Sequence, residues 1–213
     1  MTTATAMVFV IDDDESVRKS LKRLLDTARH ETEVFKSASE FLSRSPHPGP
    51  SCVIVDVQMP GLNGIDFQNV LIQNNREEQL IFITGHGDIP MCAQAMKAGA
   101  VDFLPKPFKT KELLRSVDRA LTRSAEQRRR ACEKERALAL LDRLTPREYE
   151  VMQLVATGLL NKQVGGELGM AEKTVKTHRA HVMQTLGIPS VAELMMVLQK
   201  AEVTPPIRPG TKV

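Results

Sequence analysis

The sequence predicts a doubly wound α/β domain with five parallel strands in the order 2-1-3-4-5, then a long helical linker and a small all-α helix-turn-helix domain. Three observations lead to this prediction. Short apolar, β-branched runs alternate with helical periodicity up to residue 108, which is typical of a parallel sheet covered by helices. Residues 108–145 contain no Gly or Pro, so one helix can continue through them. Beyond residue 145, capping signals open several short helices.

The five predicted strands are apolar runs at residues 7–11, 33–35, 53–55, 80–83 and 101–104. A helical pattern follows each of the first four strands. Ser37 and Glu40 have the spacing of a capping box, so a short helix is expected to begin after Ser37. Residues 65–72 and 90–98 read as the next two helices, and Gly99 follows the end of the second. Strands that alternate with helices in this way predict a parallel sheet.

The composition is that of ordinary globular domains in a reducing compartment, with 42% hydrophobic residues. Cys52, Cys92 and Cys132 are scattered without metal-site spacing, so we expect free thiols and a cytoplasmic location. The apolar run at 6–11 is too short for a signal peptide or a membrane span, and no membrane partner is expected. Residues 1–120 have a net charge of −2 and residues 143–213 a net charge of +3, which favours two domains with different partners.

Acidic residues stand where the first and third strands end. Asp12 and Asp13 follow strand 1 and Asp56 follows strand 3, and these strands are neighbours roughly 4.8 Å apart in the predicted order. Clustered carboxylates raise one another's pKa unless a cation neutralises them, and Mg²⁺ prefers such oxygen ligands. Thr84 and Lys106 end strands 4 and 5 at the same edge. The five side chains together predict a magnesium site that receives a phosphoryl group.

Residues 6–122 resemble the receiver domain of two-component response regulators. The resemblance implies that Asp56 is the nucleophile that takes a phosphoryl group from the phosphohistidine of a sensor histidine kinase. It also implies that Asp13, Asp56 and the backbone carbonyl of Gln58 ligate Mg²⁺, with Asp12 acting through water. The matching motifs are Val10-Ile11-Asp12-Asp13, Val55-Asp56, Met59-Pro60-Gly61 with Gly64, Thr84-Gly85-His86, and Lys106-Pro107-Phe108.

The same resemblance assigns the remaining receiver residues. Lys106 would pair with the phosphoryl oxygens through a chain segment whose Lys106–Pro107 bond is cis, and Thr84 would hydrogen-bond to them. Phe103 would be the aromatic switch that swings inward when Thr84 moves, with plain core packing as the alternative. Phosphorylation would then drive dimerisation through residues 91–97 and 101–103.

A helix is expected to run from residue 111 past the receiver, with Leu114, Val117 and Leu121 on its packed face. Residues 124–136 are mostly charged and are interpreted as a solvated helical linker. The arginines at 128–130 could contact DNA, but a solvated face is the favoured interpretation.

Three short helices follow the linker. Thr145-Pro146-Arg147-Glu148 is a capping box with Pro at N1, and Gly158 follows the helix that it opens. Asn161 is expected to cap a second helix ending at residue 168, and a third runs over 172–186. The third helix carries a face of hydrogen-bond donors, which suits the major groove of DNA. Its donors are Lys173, Thr174, Lys176, Thr177, His178, Arg179 and His181.

Residues 140–202 resemble the LuxR/NarL-type DNA-binding domain, and the whole chain resembles the FixJ branch of response regulators, styrene-catabolism regulators included. The motifs that support the LuxR/NarL resemblance are residues 144–148, Gly158, Asn161-Lys162 and Lys173 to His178. Together with the segment Thr84 to Pro90, they support the resemblance to the FixJ branch. The resemblance implies a transcriptional regulator of promoter DNA, not an enzyme, with RNA polymerase as a further candidate partner. Lys176 and Thr177 would contact bases, and Lys173, Thr174 and Arg179 would contact phosphates, with His178 also on this surface.

The last helix is expected to begin at the Ser190-Val191-Ala192-Glu193 capping box and to dimerise through Leu194, Val197 and Leu198. Two departures from the family pattern concern the helix-turn-helix. Ala171 replaces a Ser N-cap, at a cost of about 1 kcal/mol. Gly165-Gly166 replaces an Ile-Ala or Ala pair, which would soften the second helix by up to about 1 kcal/mol per Gly.

The expected domains are the receiver at 1–122, the linker at 123–142, the DNA-binding domain at 143–202 and a disordered tail at 203–213. Two other functions fit parts of the sequence. A phosphohydrolase with an Asp nucleophile, resembling haloacid dehalogenases, would need a second Asp where Gln58 stands. A phosphorylated module that binds only protein would leave the donor-rich helix unused.

Overall fold

The computed structural model describes residues 4–85 and 89–206. The chain forms two compact units, the first up to Arg128 and the second from Arg129. Two sequence-based expectations concern residues outside these ranges. They are the His86-Gly87-Asp88 part of the Thr84 to Pro90 motif, and residues 207–213 of the disordered tail that was expected at 203–213.

The first unit contains a five-stranded parallel sheet in the order β2-β1-β3-β4-β5, which confirms the predicted topology. The order places β1 beside β3, and the Ile11–Val55 pair is the last in their register. Most strands are longer than predicted, since backbone pairing continues into polar residues such as Ser51, Gln79 and Thr84. The strands are β1 Met7–Ile11, β2 Glu31–Phe35, β3 Ser51–Asp56, β4 Gln79–Thr84 and β5 Asp102–Pro105.

Four helices connect these strands, and a fifth leaves the sheet. Asp14 caps the first by accepting hydrogen bonds from the N–H groups of Ser16 and Val17. The third begins after Asn63, whose side chain accepts from the Asp66 N–H group. The helices are α1 Glu15–Thr27, α2 Ala38–Leu42, α3 Gly64–Gln73, α4 Ile89–Lys97 and α5 Thr110–Leu141.

The capping box predicted for α2 is only half formed. Ser37 is the N-cap and its hydroxyl accepts from the Glu40 N–H group at 3.2 Å. The Glu40 carboxylate accepts from the Lys36 N–H group at 2.9 Å, one residue before the N-cap.

The sheet separates two apolar layers. One layer contains a cluster of phenylalanine rings, in which Phe41 contacts Phe9, Phe35 and Phe67 edge-on with centroids 5.3–5.5 Å apart. The other layer is aliphatic and is completed by α5. All seven phenylalanines belong to this unit, and the single tyrosine, Tyr149, belongs to the second.

The face of α5 that packs on the sheet is rotated from the predicted one. Leu113, Val117 and Ala120 are fully buried, whereas Leu114 and Leu121 are only partly buried. The periodicity alone could not distinguish these faces, because both contain leucines at helical spacing.

The first turns beyond residue 122 are attached to the first unit. The Ser51 N–H group donates to the buried Ser124 hydroxyl at 3.0 Å, and Gln127 accepts from Gln79 at 3.1 Å. Arg128 donates to the Pro48 carbonyl at 2.7 Å, so it is not simply a solvated charge.

The second unit packs the end of α5 with four helices around an aliphatic core. Ala137 and Leu141 from α5 are buried in this core. The capping box of Thr145 and Glu148 is complete, with Pro146 at the first helical position, as predicted. The helices are α6 Pro146–Ala156, α7 Asn161–Leu168, α8 Glu172–Leu186 and α9 Val191–Ala201.

Asn161 is not the N-cap of α7, so that prediction is wrong. The cap residue is Leu160, whose N–H group donates to the Gln163 side chain at 2.9 Å, and Asn161 is the first helical residue. The Asn161 side chain instead accepts from Arg179 at 3.2 Å.

The apolar face expected to dimerise on α9 is largely covered within this unit. Leu194 and Leu198 are buried in its core, and Val197 packs against them. The large apolar side chains that α9 exposes are Met195 and Met196, at 41% and 53%.

No single helix in the described part of the chain is long and apolar enough to cross a membrane. The bent pair of α8 and α9 passes that test together, on length and composition alone.

Candidate metal centre and nucleic-acid interface

Three carboxylates meet at the carboxyl edge of the sheet, where β1 and β3 end. One ligand oxygen from each of Asp12, Asp13 and Asp56 lies within 4.8 Å of the other two. Asp12 is fully buried, Asp56 is 8% exposed and Asp13 faces solvent. The parallel register of β1 and β3 brings these residues together, as the sequence predicted.

Lys106 joins two of these carboxylates. Its Nζ lies 2.8 Å from Asp12 Oδ2 and 3.0 Å from Asp56 Oδ2. The Lys106 N–H group donates to the carbonyl of Thr84 at 2.6 Å, and the Lys106–Pro107 bond is cis, as predicted. Thr84 itself is fully buried at the end of β4. The structure therefore brings all five of the predicted side chains to one edge.

Burial and the hydrogen bonds of Lys106 have opposite effects on the pKa values at this site. Burial raises the pKa of Asp12, although hydrogen bonds from Lys106 and the Asp14 N–H group act in the opposite direction. Burial alone would lower the pKa of Lys106, but its hydrogen bonds to Asp12 and Asp56 outweigh burial and leave that pKa raised. A second cation would further offset the cost of holding charged carboxylates here.

The residues present fit Mg²⁺ by the chemistry of their donors. Three hard carboxylate oxygens lie close together and one of them is open to solvent, as a cation that keeps several waters requires. Gln58 lies beside the cluster, and its N–H group donates to Asp56 Oδ1 at 3.3 Å. Phe103 is partly buried on β5, with its ring 6.1 Å from that of Phe82.

Sequence reasoning missed one residue of this site. Arg18, in the first turn of α1, donates from Nη1 to the backbone carbonyls of Asp12 at 2.7 Å and Asp13 at 2.9 Å. A basic residue five positions after Asp13 was the available signal, but α1 contains three other basic residues and the pattern does not distinguish them.

In the second unit, α8 presents a polar face opposite its buried residues. Val175, Val182 and Leu186 anchor it in the core. Lys173, Thr174, Lys176 and Thr177 are exposed on the other face. His181, the last of the predicted donors, is also exposed, and its Nδ1 lies 3.6 Å from Glu148 Oε1. This arrangement is the donor-rich face that the sequence predicted.

The two remaining predicted contacts are less exposed. Arg179 is half-buried and donates to the Asn161 side chain, which ties α8 to the start of α7. His178 is also half-buried, and its Nδ1 is a buried atom that has no hydrogen-bond partner among the residues that the structure describes. Both residues contribute to the packing of α8.

Comparison with known proteins agrees with this geometry. Residues 8–118 match the response regulator receiver domain, and residues 142–198 match bacterial regulatory proteins of the luxR family. Nodulation protein W of Bradyrhizobium diazoefficiens is 48% identical over 190 residues, which cover 89% of this chain and 84% of that protein. Transcriptional regulatory protein FixJ of Azorhizobium caulinodans is 36% identical over 198 residues, which cover 93% of this chain and 94% of that protein.

Among solved structures, that of response regulator StyR superposes with a TM-score of 0.81 at 45% identity, covering 92% of this chain and 100% of that one. The receiver and LuxR-type matches and the FixJ relative confirm the resemblances drawn from the motifs. The chain belongs to the two-component response regulators of the FixJ type, transcriptional regulators that join a receiver domain to a LuxR-type DNA-binding domain.

Proposed function

We propose that Asp56 accepts a phosphoryl group from a sensor histidine kinase and that this modification promotes binding of promoter DNA by α8. The observation that carries the proposal is the pairing of Lys106 with both Asp12 and Asp56 beside the solvent-facing Asp13. A nucleophilic carboxylate held by a lysine at a strand end suits acceptance of a phosphoryl group.

An oxygen of Asp56 attacks the phosphorus of the kinase phosphohistidine. A P–O bond forms as the P–N bond breaks, and the histidine leaves with a proton from solvent. Lys106 moves its contacts to the phosphoryl oxygens, and the Thr84 hydroxyl donates to them. Mg²⁺, held by Asp13, Asp56 and the carbonyl of Gln58, with Asp12 through water, would neutralise charge on those oxygens.

Phe103 responds to Thr84 in this proposal, because the two residues lie on neighbouring strands β4 and β5, where Thr84 pairs with Pro105, two residues after Phe103. Its ring is only partly buried, so an inward movement would bury more of it. The movement would reshape residues 91–97 and 101–103 and so favour a homodimer. The chain acts as a regulator, since one phosphoryl group per Asp56 is accepted without turnover of a substrate.

On DNA, Lys176 and Thr177 contact base edges in the major groove, and Lys173, Thr174 and Arg179 contact phosphates, with His178 beside them. The proposed domains are the receiver at 1–122, the linker at 123–142, the DNA-binding domain at 143–202 and a tail at 203–213. The proposed location is the cytoplasm, where the kinase, promoter and RNA polymerase are accessible.

Acetyl phosphate provides the test. Wild-type protein with Mg²⁺ should gain one phosphoryl group by mass spectrometry, and Asp56→Asn should gain none, because the amide is not a nucleophile. Asp66→Asn is the matched control, since Asp66 lies on α3 outside the carboxylate cluster. Phosphorylation of Asp56→Asn at the wild-type rate would contradict the assignment.

A further inference from the structure

Asp12 and Asp13 lie on a short loop, and the side chain of Arg18 holds the backbone of both residues. The loop joins β1 to α1, and Arg18 reaches back from the fourth residue of α1. One nitrogen, Nη1, donates to the Asp12 carbonyl at 2.7 Å and to the Asp13 carbonyl at 2.9 Å. A charged donor makes stronger hydrogen bonds than a neutral one, so both peptide groups are held firmly.

This contact matters most for Asp13. Lys106 holds the side chains of Asp12 and Asp56, and the Asp14 N–H group donates to Asp12 Oδ1 at 2.9 Å. Within residues 4–85 and 89–206, no ion pair holds the Asp13 carboxylate. Mutual repulsion pushes this solvent-facing carboxylate away from the other two, and the backbone contact with Arg18 opposes that movement.

We propose that Arg18 is a positioning residue for Mg²⁺: by fixing the carbonyls of Asp12 and Asp13, it holds the Asp13 carboxylate where a cation can be shared with Asp56. The inference rests on the proposed magnesium site and adds to it a residue that touches no ligand atom. Its own charge acts the other way, since a guanidinium near the site repels a cation. The two effects therefore predict opposite results when Arg18 is replaced.

The test is Mg²⁺ affinity of the full chain, measured by calorimetry and by amide shifts of the β1–α1 loop. Removal of a group that orients metal ligands typically weakens metal binding by 10- to 100-fold. We expect Arg18→Ala to raise the Kd for Mg²⁺ by about tenfold, because Lys106 still holds Asp12 and Asp56. Arg23→Ala removes an exposed guanidinium from the same helix and should leave the Kd unchanged.

A kinetic measurement separates positioning from a general structural role. The rate of phosphorylation by acetyl phosphate should need more Mg²⁺ for half-saturation in Arg18→Ala, yet reach nearly the wild-type rate at saturation. A reduced rate at saturating Mg²⁺ with an unchanged Kd would overturn the proposal. So would a Kd within twofold of wild type, or a lower Kd, which would show that charge repulsion dominates.

Two further variants keep the outcome interpretable. If Arg18→Ala does not fold, Arg18→Lys keeps the charge and a single donor group; its Kd should rise by a smaller factor, and a wild-type Kd would overturn the proposal. Asp13→Ala tests the site itself. If wild type and Asp13→Ala bind Mg²⁺ equally, the proposed magnesium site fails; if only Asp13→Ala is impaired, the inference about Arg18 fails alone.

Discussion

At the scale of single residues, the sequence predicts side chains that stand at strand ends better than those that act through backbone contacts. Asp12, Asp56 and Lys106 converge because parallel strands end at one edge, and that geometry follows from the strand order alone. Arg18 could not be predicted in this way. Its side chain extends back towards the start of α1 and donates to the carbonyls of Asp12 and Asp13. Helical periodicity does not predict the direction in which a surface side chain extends.

The exposed lysines of α8 allow a matched test of DNA reading. Lys176→Ala should cost about 1–3 kcal/mol at the cognate site and much less on random DNA, because base contacts carry sequence information. Lys173→Ala should weaken both equally and reduce the salt dependence of binding by roughly one unit, as loss of a phosphate contact does. Fluorescence anisotropy with cognate and scrambled duplexes measures both effects. An unchanged ratio of the two affinities in Lys176→Ala would contradict the proposed orientation of α8.

Arg179 is a less suitable probe of phosphate contacts. Its guanidinium donates to Asn161, so its removal changes the joint between α7 and α8 as well as any contact with DNA.

At the scale of elements, the sequence predicts the positions of helices more reliably than it predicts which part of the protein packs against their apolar faces. The apolar face of α9 was recognised correctly, but periodicity does not say whether Leu194 and Leu198 face a partner or their own core. The same ambiguity applies to α5, where two leucine-containing faces compete. For α7, residue preference favoured Asn161 as the cap, while the side chain of Gln163 makes the capping hydrogen bond one residue earlier.

The two glycines of α7 differ in what a side chain would meet. Apart from its own helix backbone and chain neighbours, a Cβ on Gly166 would meet no atom of the described residues within 4 Å. Gly166→Ala should therefore raise the free energy of unfolding by about 0.5–1 kcal/mol. A Cβ on Gly165 would lie 2.6 Å from the Met170 carbonyl oxygen, so Gly165→Ala must displace the turn before α8 and should gain less or lose stability. Urea denaturation of both variants compares them. Equal gains would show that the turn yields without cost.

The capping box of α6 predicts a pH dependence. Hydrogen bonds from the backbone and side chain of Thr145 lower the pKa of Glu148 below its usual value of 4.5. A carboxylate with a lowered folded-state pKa contributes stability that is full above the unfolded-state pKa and is lost as pH falls through the folded-state value. Below about pH 4.5, wild type should therefore lose its advantage over Glu148→Gln, whose amide still accepts but cannot titrate.

Thermal unfolding of the two proteins from pH 6 down to pH 3 measures this difference. Subtraction removes the contribution of the other carboxylates. A constant difference over that range would mean that the charge of Glu148 does not stabilise α6.

At the scale of the whole molecule, the doubly wound topology and the two-domain organisation were predictable, because each follows from alternating patterns over many residues. The end of the first unit was not. The linker was expected from residue 123, whereas Ser124 and Gln127 bind the first residues of β3 and β4, and Arg128 binds the loop that precedes β3. A polar residue on a helix looks the same in the sequence whether its side chain binds the first unit or faces solvent, so the pattern does not show where the unit ends.

Phosphorylation should convert the protein to a dimer through residues 91–97 and 101–103. Met96 on α4 is 41% exposed, and Met96→Asp should keep phosphorylated protein monomeric, because a charge would have to be buried in the interface. Ile72→Asp is the matched control, since Ile72 is 53% exposed on α3, outside that surface. Sedimentation of phosphorylated samples at micromolar concentration distinguishes them. Equal dimer fractions in the two variants would contradict this surface.

The two units differ in their fluorescence, because all the phenylalanines lie in the first unit and the single tyrosine lies in the second. The chain has no tryptophan, so tyrosine fluorescence arises from Tyr149 alone, on α6. Its hydroxyl accepts a hydrogen bond from Gln153 at 3.1 Å, and that bond is lost when α6 unfolds. Far-ultraviolet circular dichroism, in contrast, records helices from the whole protein. Tyrosine emission therefore follows the DNA-binding half in the intact chain, with no label and no truncation.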